Sequence, residues 1–147
     1  MLLEDRDVND LLHSLDLCIE ATQRAMVDSG MARECADCAI SEAGTCCSFR
    51  TGYKSDSVIL LINLLLGRDL PTTSFDARLC YFLTEIGCVL RARHVICTNF
   101  ICQRLRDTIP HETLCSVQEI AGNEIDTMFA LEEAIKKKLV FNAKLVP

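Results

Sequence analysis

Tryptophan is absent from this 147-residue sequence, and tyrosine and phenylalanine are so scarce that aromatic residues make up only 5%. Sheet sandwiches depend on aromatic and β-branched residues, whereas the hydrophobic half of this chain suits helices packed through Leu, Ile, Val and Ala. The composition therefore favours a mostly α fold, a small helical bundle. The length is that of a single domain, which we expect to span residues 1–147.

An excess of positive charge is also lacking, since 15 Lys and Arg stand against 21 Asp and Glu, for a net charge of −6. Binding to a phosphate backbone needs clustered Lys and Arg, so we expect no nucleic-acid partner. The amino terminus, MLLEDRDVND, has acids where a secretory signal has a basic region, and the longest apolar run, VILLINLLLG at 58–67, falls far short of a membrane span. We therefore expect a cytoplasmic protein without membrane contact.

Motifs of the common enzyme classes are missing as well. The sequence has no G-x-S-x-G, no phosphate-binding loop and no H-E-x-x-H. It therefore offers no catalytic residues, and it gives no reason to expect an enzyme.

Two long amphipathic helices are predicted near the ends of the chain, because apolar residues recur every three or four positions over about 7–28 and about 110–139. A shorter, buried helix is expected to begin after Ser55 or Asp56 and to end at Gly67. The long helices could pair within one chain or between two, which leaves a homo-oligomer or another protein partner open.

Cysteine is the residue in excess, with ten in the chain. Stable disulfides are rare in a reducing cytosol, so clustered cysteines there are better explained as metal ligands or redox groups. Cys18 and Cys115 fall within the predicted helices and are expected to pack in the core. The remaining eight define a predicted metal-binding region at about 35–102: Cys35, Cys38, Cys46, Cys47, Cys80, Cys88, Cys97 and Cys102.

The first four of these cysteines lie in a stretch, from about 31 to 55, that has no sustained period and many small residues. We expect irregular backbone there. The pair Cys35-x2-Cys38 has the spacing of a half-site in tetrathiolate zinc and many iron-sulfur centres. The side chains of the adjacent Cys46 and Cys47 should diverge, so that one sulfur could bind a metal while the other packs or bridges.

In the second cluster, a turn at TEIG (84–87) is expected to place Cys80 and Cys88 at opposite ends of a short hairpin. A helix is predicted from about Thr98 to Asp107. Five helical steps would turn Cys97 and Cys102 away from each other. We therefore expect Cys97 to precede this helix and Cys102 to lie in its first turn.

Arginines accompany this cluster and could offset the negative charge of a metal tetrathiolate, or else lie on a solvated helix face. They are Arg91, Arg93, Arg104 and Arg106. His94 is expected to serve at the surface or as a helix cap rather than as a ligand.

The ordered set of motifs resembles the zinc- or iron-chelating domain family of YkgJ-like proteins, whose signature is CxxCxxCC. Over residues 35–102 the order is CxxC, then CC, then C-x-F-L with G-C a few residues on, then an Arg ahead of C-x4-C. The resemblance implies that all eight cysteines are metal ligands, that Arg93 lies beside the bound cofactor, and that Phe82, Leu83 and Gly87 accompany them. This chain differs in having seven residues, AISEAGT, before the CC, and His94 where the family has Pro.

Three functions follow from these patterns. The leading one is a metal-binding protein that coordinates zinc or an iron-sulfur cluster through clustered thiolates, and spacing alone does not choose between the two. The second is a thiol-disulfide redox protein that uses Cys35/Cys38 and the vicinal Cys46/Cys47. The third is a helical partner-binding domain whose cysteines pack.

Overall fold

The computed structural model of the protein describes residues 2–41 and 46–143, with the backbone alone at 141–143. The fold is mostly helical, with one two-stranded antiparallel hairpin. A short 3-10 turn at Leu2–Glu4 comes first. The other elements are α1 (Arg6–Asp28), α2 (Met31–Ser41), α3 (Phe49–Gly52), α4 (Ser57–Leu65), β1 (Leu83–Thr84), β2 (Gly87–Cys88), α5 (Val95–Asn99), α6 (Gln103–Thr108) and α7 (His111–Ala143).

The long helices α1 and α7 pack against each other in opposite directions. Asp5, which caps α1, forms an ion pair with Lys138, and Cys18 Sγ lies 3.8 Å from Thr127 Oγ1 further along the pair. The prediction of two long amphipathic helices is confirmed. The two helices pair within one chain.

The main core lies between α1, α4 and α7. Its apolar side chains recur at helical spacing, so each helix presents one continuous face to the others. They are Val8, Leu12, Leu15 and Ile19 of α1, Ile59 and Ile62 of α4, and Met128, Leu131 and Ile135 of α7, together with Ala92. Burial of each large aliphatic side chain contributes about 1.5–3 kcal/mol, which makes this pairing the principal source of stability.

A buried amide, Asn63, joins α4 to the segment that follows the hairpin. Its Nδ2 donates to the carbonyl oxygens of Ile59 (2.9 Å) and Ala92 (2.8 Å), and its Oδ1 accepts from the backbone N–H of Arg91 (2.7 Å) and Ala92 (3.1 Å). All four hydrogen-bonding positions of this fully buried side chain are therefore used. The expected helix is confirmed, with Asp56 as its cap.

The structure corrects the expectation of irregular backbone after residue 30, because α2 and α3 lie in that segment. The positive φ of Gly30 (80°) ends α1 and lets a new helix start at once. Alanines favour the helix α2, and Met31 anchors it in a second core cluster with Met26, Leu105 and Leu114. The prediction failed because the many small residues give this segment a composition typical of a loop. Residues 42–45, within the spacer before the CC pair, lie outside the described residues.

The segment predicted as one helix, from about Thr98 to Asp107, forms two shorter helices, α5 and α6. Phe100 has extended backbone and Cys102 is the N-cap of α6, so the chain turns between them. Within residues 2–41 and 46–143, no helix is both long and apolar enough to cross a membrane.

Asn63→Leu should lower the free energy of unfolding by on the order of 3 kcal/mol, because it leaves two buried N–H groups and a buried carbonyl without partners. Chemical denaturation of the metal-free protein measures the change. Asn9→Leu, at an exposed position of α1, is the control and should change stability little. Equal stability of the Asn63 variant and the wild type would contradict a stabilising role for the hydrogen bonds of Asn63.

Candidate metal centre

The helix α2 carries the Cys35-x2-Cys38 pair. Three helical steps place the two side chains on nearly the same face. Glu34, beside Cys35, forms an ion pair with Arg104 of α6 (Oε2 to Nε, 3.0 Å). Because Cys102 caps that same helix, the ion pair brings Cys102 close to Cys35. The CxxC motif is therefore helical here, rather than a turn in a loop.

The chain around Cys47 lies against the chain around Cys80. The N–H of Cys80 donates to the carbonyl of Cys47 (2.7 Å), and Ser48 forms an isolated bridge with Leu79. The two segments pack closely. A Cβ atom added at Gly52 would lie 3.3 Å from the backbone nitrogen of Tyr81 and 3.7 Å from Cys80 Sγ. These contacts place the second member of the CC pair beside the first cysteine of the downstream cluster.

The hairpin presents Cys88, but not as the sequence predicted. Cys88 pairs with Leu83, whereas Cys80 precedes β1 and is buried with Phe82 and Leu90. The expectation that Cys80 and Cys88 occupy opposite ends of the hairpin is wrong, because only two residues of each strand pair. Gly87 has a φ of 114°, which an L side chain rarely adopts. The backbone N–H of Leu90 also donates a hydrogen bond to the Cys88 sulfur.

The third part of the site is α5. Cys97 lies inside this helix, rather than before it as expected, and it is exposed. Cys102 lies at the N-cap of α6 instead of within its first turn. The break between the two short helices resolves the angular conflict that one continuous helix would have created.

Four of the cysteines have raised pKa values. Loss of surrounding water is the first cause of a raised pKa at Cys35, Cys47, Cys88 and Cys97, and neighbouring thiolates add to it. The pKa of Cys47 rises to about 12 and that of Cys97 to about 11. A thiol that meets several others in a poorly hydrated site resists taking a negative charge unless a cation accompanies it.

These electrostatic neighbours fall into two groups. The thiols that act on Cys35 complete the α2 group, which is Cys35, Cys38, Cys46 and Cys102. Those that act on Cys47 and Cys97 define the hairpin group, which is Cys47, Cys80, Cys88 and Cys97, and Cys46 acts on this group too. All eight cysteines singled out from the sequence belong to one group or the other.

Arg93 is the arginine that faces both groups. Its guanidinium lowers the pKa of Cys35, Cys88 and Cys97 against the effect of lost water. A cation in this position would offset part of the negative charge of a thiolate cluster.

The other arginines have different partners. Arg91 donates to Asp16 Oδ1 (2.7 Å) and to Gln23 Oε1 (3.1 Å), and so ties its segment to α1, while Arg104 pairs with Glu34. Arg106 is exposed.

His94 accepts a hydrogen bond at Nδ1 from the N–H of Ile96 (3.2 Å), which confirms its predicted use as a helix cap.

Cys18 is partly buried between α1 and α7. The expectation that Cys115 packs in the core is wrong. It is exposed, with Sγ 3.5 Å from His111 Nε2, because it lies beside the apolar stripe of α7 rather than on it.

Within the described part of the chain, no three Cys, His, Asp or Glu side chains form a group arranged to hold a metal ion. The donor set nevertheless suits thiophilic metals, since it consists of eight sulfurs in two groups with a guanidinium beside them.

Comparison of the chain with protein-family models, curated proteins and solved structures found no match.

A buried carboxyl, Glu124 of α7, was not foreseen from the sequence. Glu124 is only 4% exposed. Burial raises the pKa of its carboxyl group, and the Thr22 hydroxyl and the Arg93 guanidinium oppose that rise. The signal was present in the spacing, since Glu124 lies three residues after Ala121 and four before Met128, both of which are buried. A charged residue beside the apolar stripe of a long helix indicates a polar interior site.

Raised pKa values predict slow alkylation of the metal-free protein. At pH 8, iodoacetamide should modify Cys47 and Cys97 more than about tenfold more slowly in the folded protein than in urea, because the reactive thiolate fraction falls tenfold for each pKa unit. Peptide mass mapping gives the rate at each cysteine.

The pH dependence separates ionisation from simple lack of access. Rates at Cys47 and Cys97 should climb beyond pH 9 toward pH 11, whereas blocked access alone would leave the midpoint at the ordinary thiol value. Alkylation at pH 8 that is as fast in the folded as in the unfolded chain would contradict the raised pKa values.

Proposed function

We propose that the protein binds zinc or an iron-sulfur cluster through the thiolates of the α2 and hairpin groups. The observation that supports the proposal is that thiols from α2, the CC pair, the hairpin region, α5 and the cap of α6 lie near enough to raise the pKa values of Cys35, Cys47 and Cys97. Residues spread over nearly half of the chain would not converge in this way if each one merely filled a local space.

Physical chemistry favours a cation at this place. Desolvation and repulsion between thiolates both oppose ionisation of the thiols. A bound metal ion would replace the repulsion with attraction, and this attraction would outweigh the cost of desolvation. Binding energy would then order the short helices around the site, since metal binding and folding are coupled in such centres. A zinc ion would mainly hold these elements together, and an iron-sulfur cluster would supply electron transfer or sensing.

The division into two groups of four matches the ligand number of a structural zinc site or of an iron-sulfur cluster. Cys46 has neighbours in both groups, so it is the candidate to bridge them. Arg93 would offset the charge of the thiolates from outside the ligand set and donate hydrogen bonds to sulfur.

The alternatives have less support. Redox-active cysteines have lowered pKa values, whereas the pKa values of Cys35 and Cys47 are raised, by loss of water in the first place. Packing cysteines are buried, whereas Cys35, Cys88 and Cys97 are exposed; Cys80 lies in a core cluster, and Cys47 and Cys102 pack against core clusters while only partly buried.

Membership of the YkgJ-like chelating family remains part of this proposal. Its support is the ordered motif set, together with the structural use of two accompanying positions. Phe82 is buried beside Cys80, and Gly87 has the positive φ that turns the chain into Cys88.

Metal analysis of protein purified without oxygen tests the proposal. We expect bound metal that is zinc and colourless, or iron with sulfide and a visible charge-transfer spectrum. Cys88→Ser should lower metal affinity by at least about 10-fold, because even outer-shell changes at metal sites cost 10–100-fold. Cys115→Ser, at an exposed cysteine outside both groups, is the matched control and should retain the metal.

Far-UV circular dichroism of both variants separates lost ligation from lost folding. Metal-free wild-type protein in which every thiol titrates freely would refute the proposal and favour the packing hypothesis. Equal metal content in the Cys88 and Cys115 variants would remove Cys88 from the ligand set.

A further inference from the structure

A cavity of about 230 Å³ lies between α4, α5 and α7, and it is lined in part by Arg93, which also acts on the thiol of Cys97. An engineered cavity of about 150 Å³ holds benzene, so this one has room for a ligand of one ring. Its walls are mainly apolar, with a few polar groups. The lining residues that matter are Ile59, Thr98, Glu124, Ile125, Met128 and Phe129.

Glu124 is the unusual member of this lining. The residue is 4% exposed, and its Oε2 accepts no hydrogen bond from any residue in the described part of the chain. Buried polar atoms in native proteins are nearly always paired, and each exception calls for an explanation. A donor that enters the cavity would supply the partner that this oxygen lacks.

Charged groups of both signs surround the cavity. Glu132 also lines it and adds a second carboxylate, 3.3 Å from Lys136 Nζ. Arg93 is the guanidinium in the lining, and it is already an electrostatic neighbour of Cys35 and of other thiols. His94 uses Nδ1 as a helix cap. Lys136 offsets the charge of Glu132, and the guanidinium groups of Arg93 and Arg91 act on Glu124, so the charges are close to balanced. The unpaired Oε2 of Glu124 is the group that a donor would satisfy.

We propose that this cavity binds a small organic molecule that carries a protonated primary amine, with Glu124 as the acceptor. The ammonium group donates to the carboxylate, and the body of the molecule packs against Ile125 and Met128. The terminal torsion of a glutamate side chain is soft, so the carboxylate turns toward the donor when the ligand enters. The small volume suits a one-ring ligand better than a drug-sized one.

Binding of benzylammonium tests this inference, with benzyl alcohol as the neutral probe of similar shape and benzoate as the anionic one. Methyl NMR of protein labelled at methionine reports binding directly. The Met128 methyl should shift on titration, whereas Met26 and Met31, in the second core cluster, should not. Benzylammonium should bind at least about 10-fold more tightly than either other probe, because it alone offers a charged donor.

Variants of α7 assign the acceptor. Glu124→Gln removes the charge and keeps the shape, and it should weaken benzylammonium binding at least about 10-fold. Glu119→Gln, at an exposed position of the same helix, is the matched control and should bind as the wild type does. Ile125→Phe fills part of the cavity without touching the carboxyl and should abolish binding of all three probes.

Three results would overturn the inference. They are an unshifted Met128 methyl at the highest soluble concentration of benzylammonium, equal affinity for benzylammonium and benzyl alcohol, and undiminished affinity in Glu124→Gln. The inference does not depend on the proposed metal site. Titrations of metal-free and metal-loaded protein test it equally.

Discussion

The antiparallel packing of α1 against α7 is the interaction on which the other elements depend. Helices shorter than about 12–15 residues are marginal in water, and every helix between these two is that short. These short helices are stabilised by individual side chains that link them to one another and to the α1–α7 pair. Asn63 fastens the segment after the hairpin to α4, Arg91 fastens it to α1, and the Glu34–Arg104 pair joins α2 to α6. Cys35 and Cys38 lie on α2 and Cys102 caps α6, the two helices that the ion pair joins, and a bound metal would add to their stability.

Periodicity predicted the parts of the fold in which one face of a long helix is buried. It identified α1 and α7 almost to their ends, and cap residues identified α4. The short elements were harder, because their stability comes from contacts distant in sequence. The sequence of α2 resembles a loop by its small residues, yet Met31 finds a buried place against α6 and α7.

The candidate site could be assigned from the sequence as a set of residues, but not as a geometry. Ordered cysteine spacing selected the eight thiols and Arg93, and several of these thiols are electrostatic neighbours of one another and of Arg93. Spacing did not reveal that Cys80 would be buried ahead of the hairpin, or that Cys115 would face solvent. Glu124 was overlooked because a single acid on a long helix is ordinarily on its solvated face.

The central claim is that sulfur atoms of these groups share a cation, and X-ray absorption spectroscopy at the metal edge tests it most directly. For metal-loaded protein the account predicts an inner coordination shell of sulfur, at about 2.3 Å if the metal is zinc. An inner shell made only of nitrogen and oxygen, at about 2.0–2.2 Å, would contradict it.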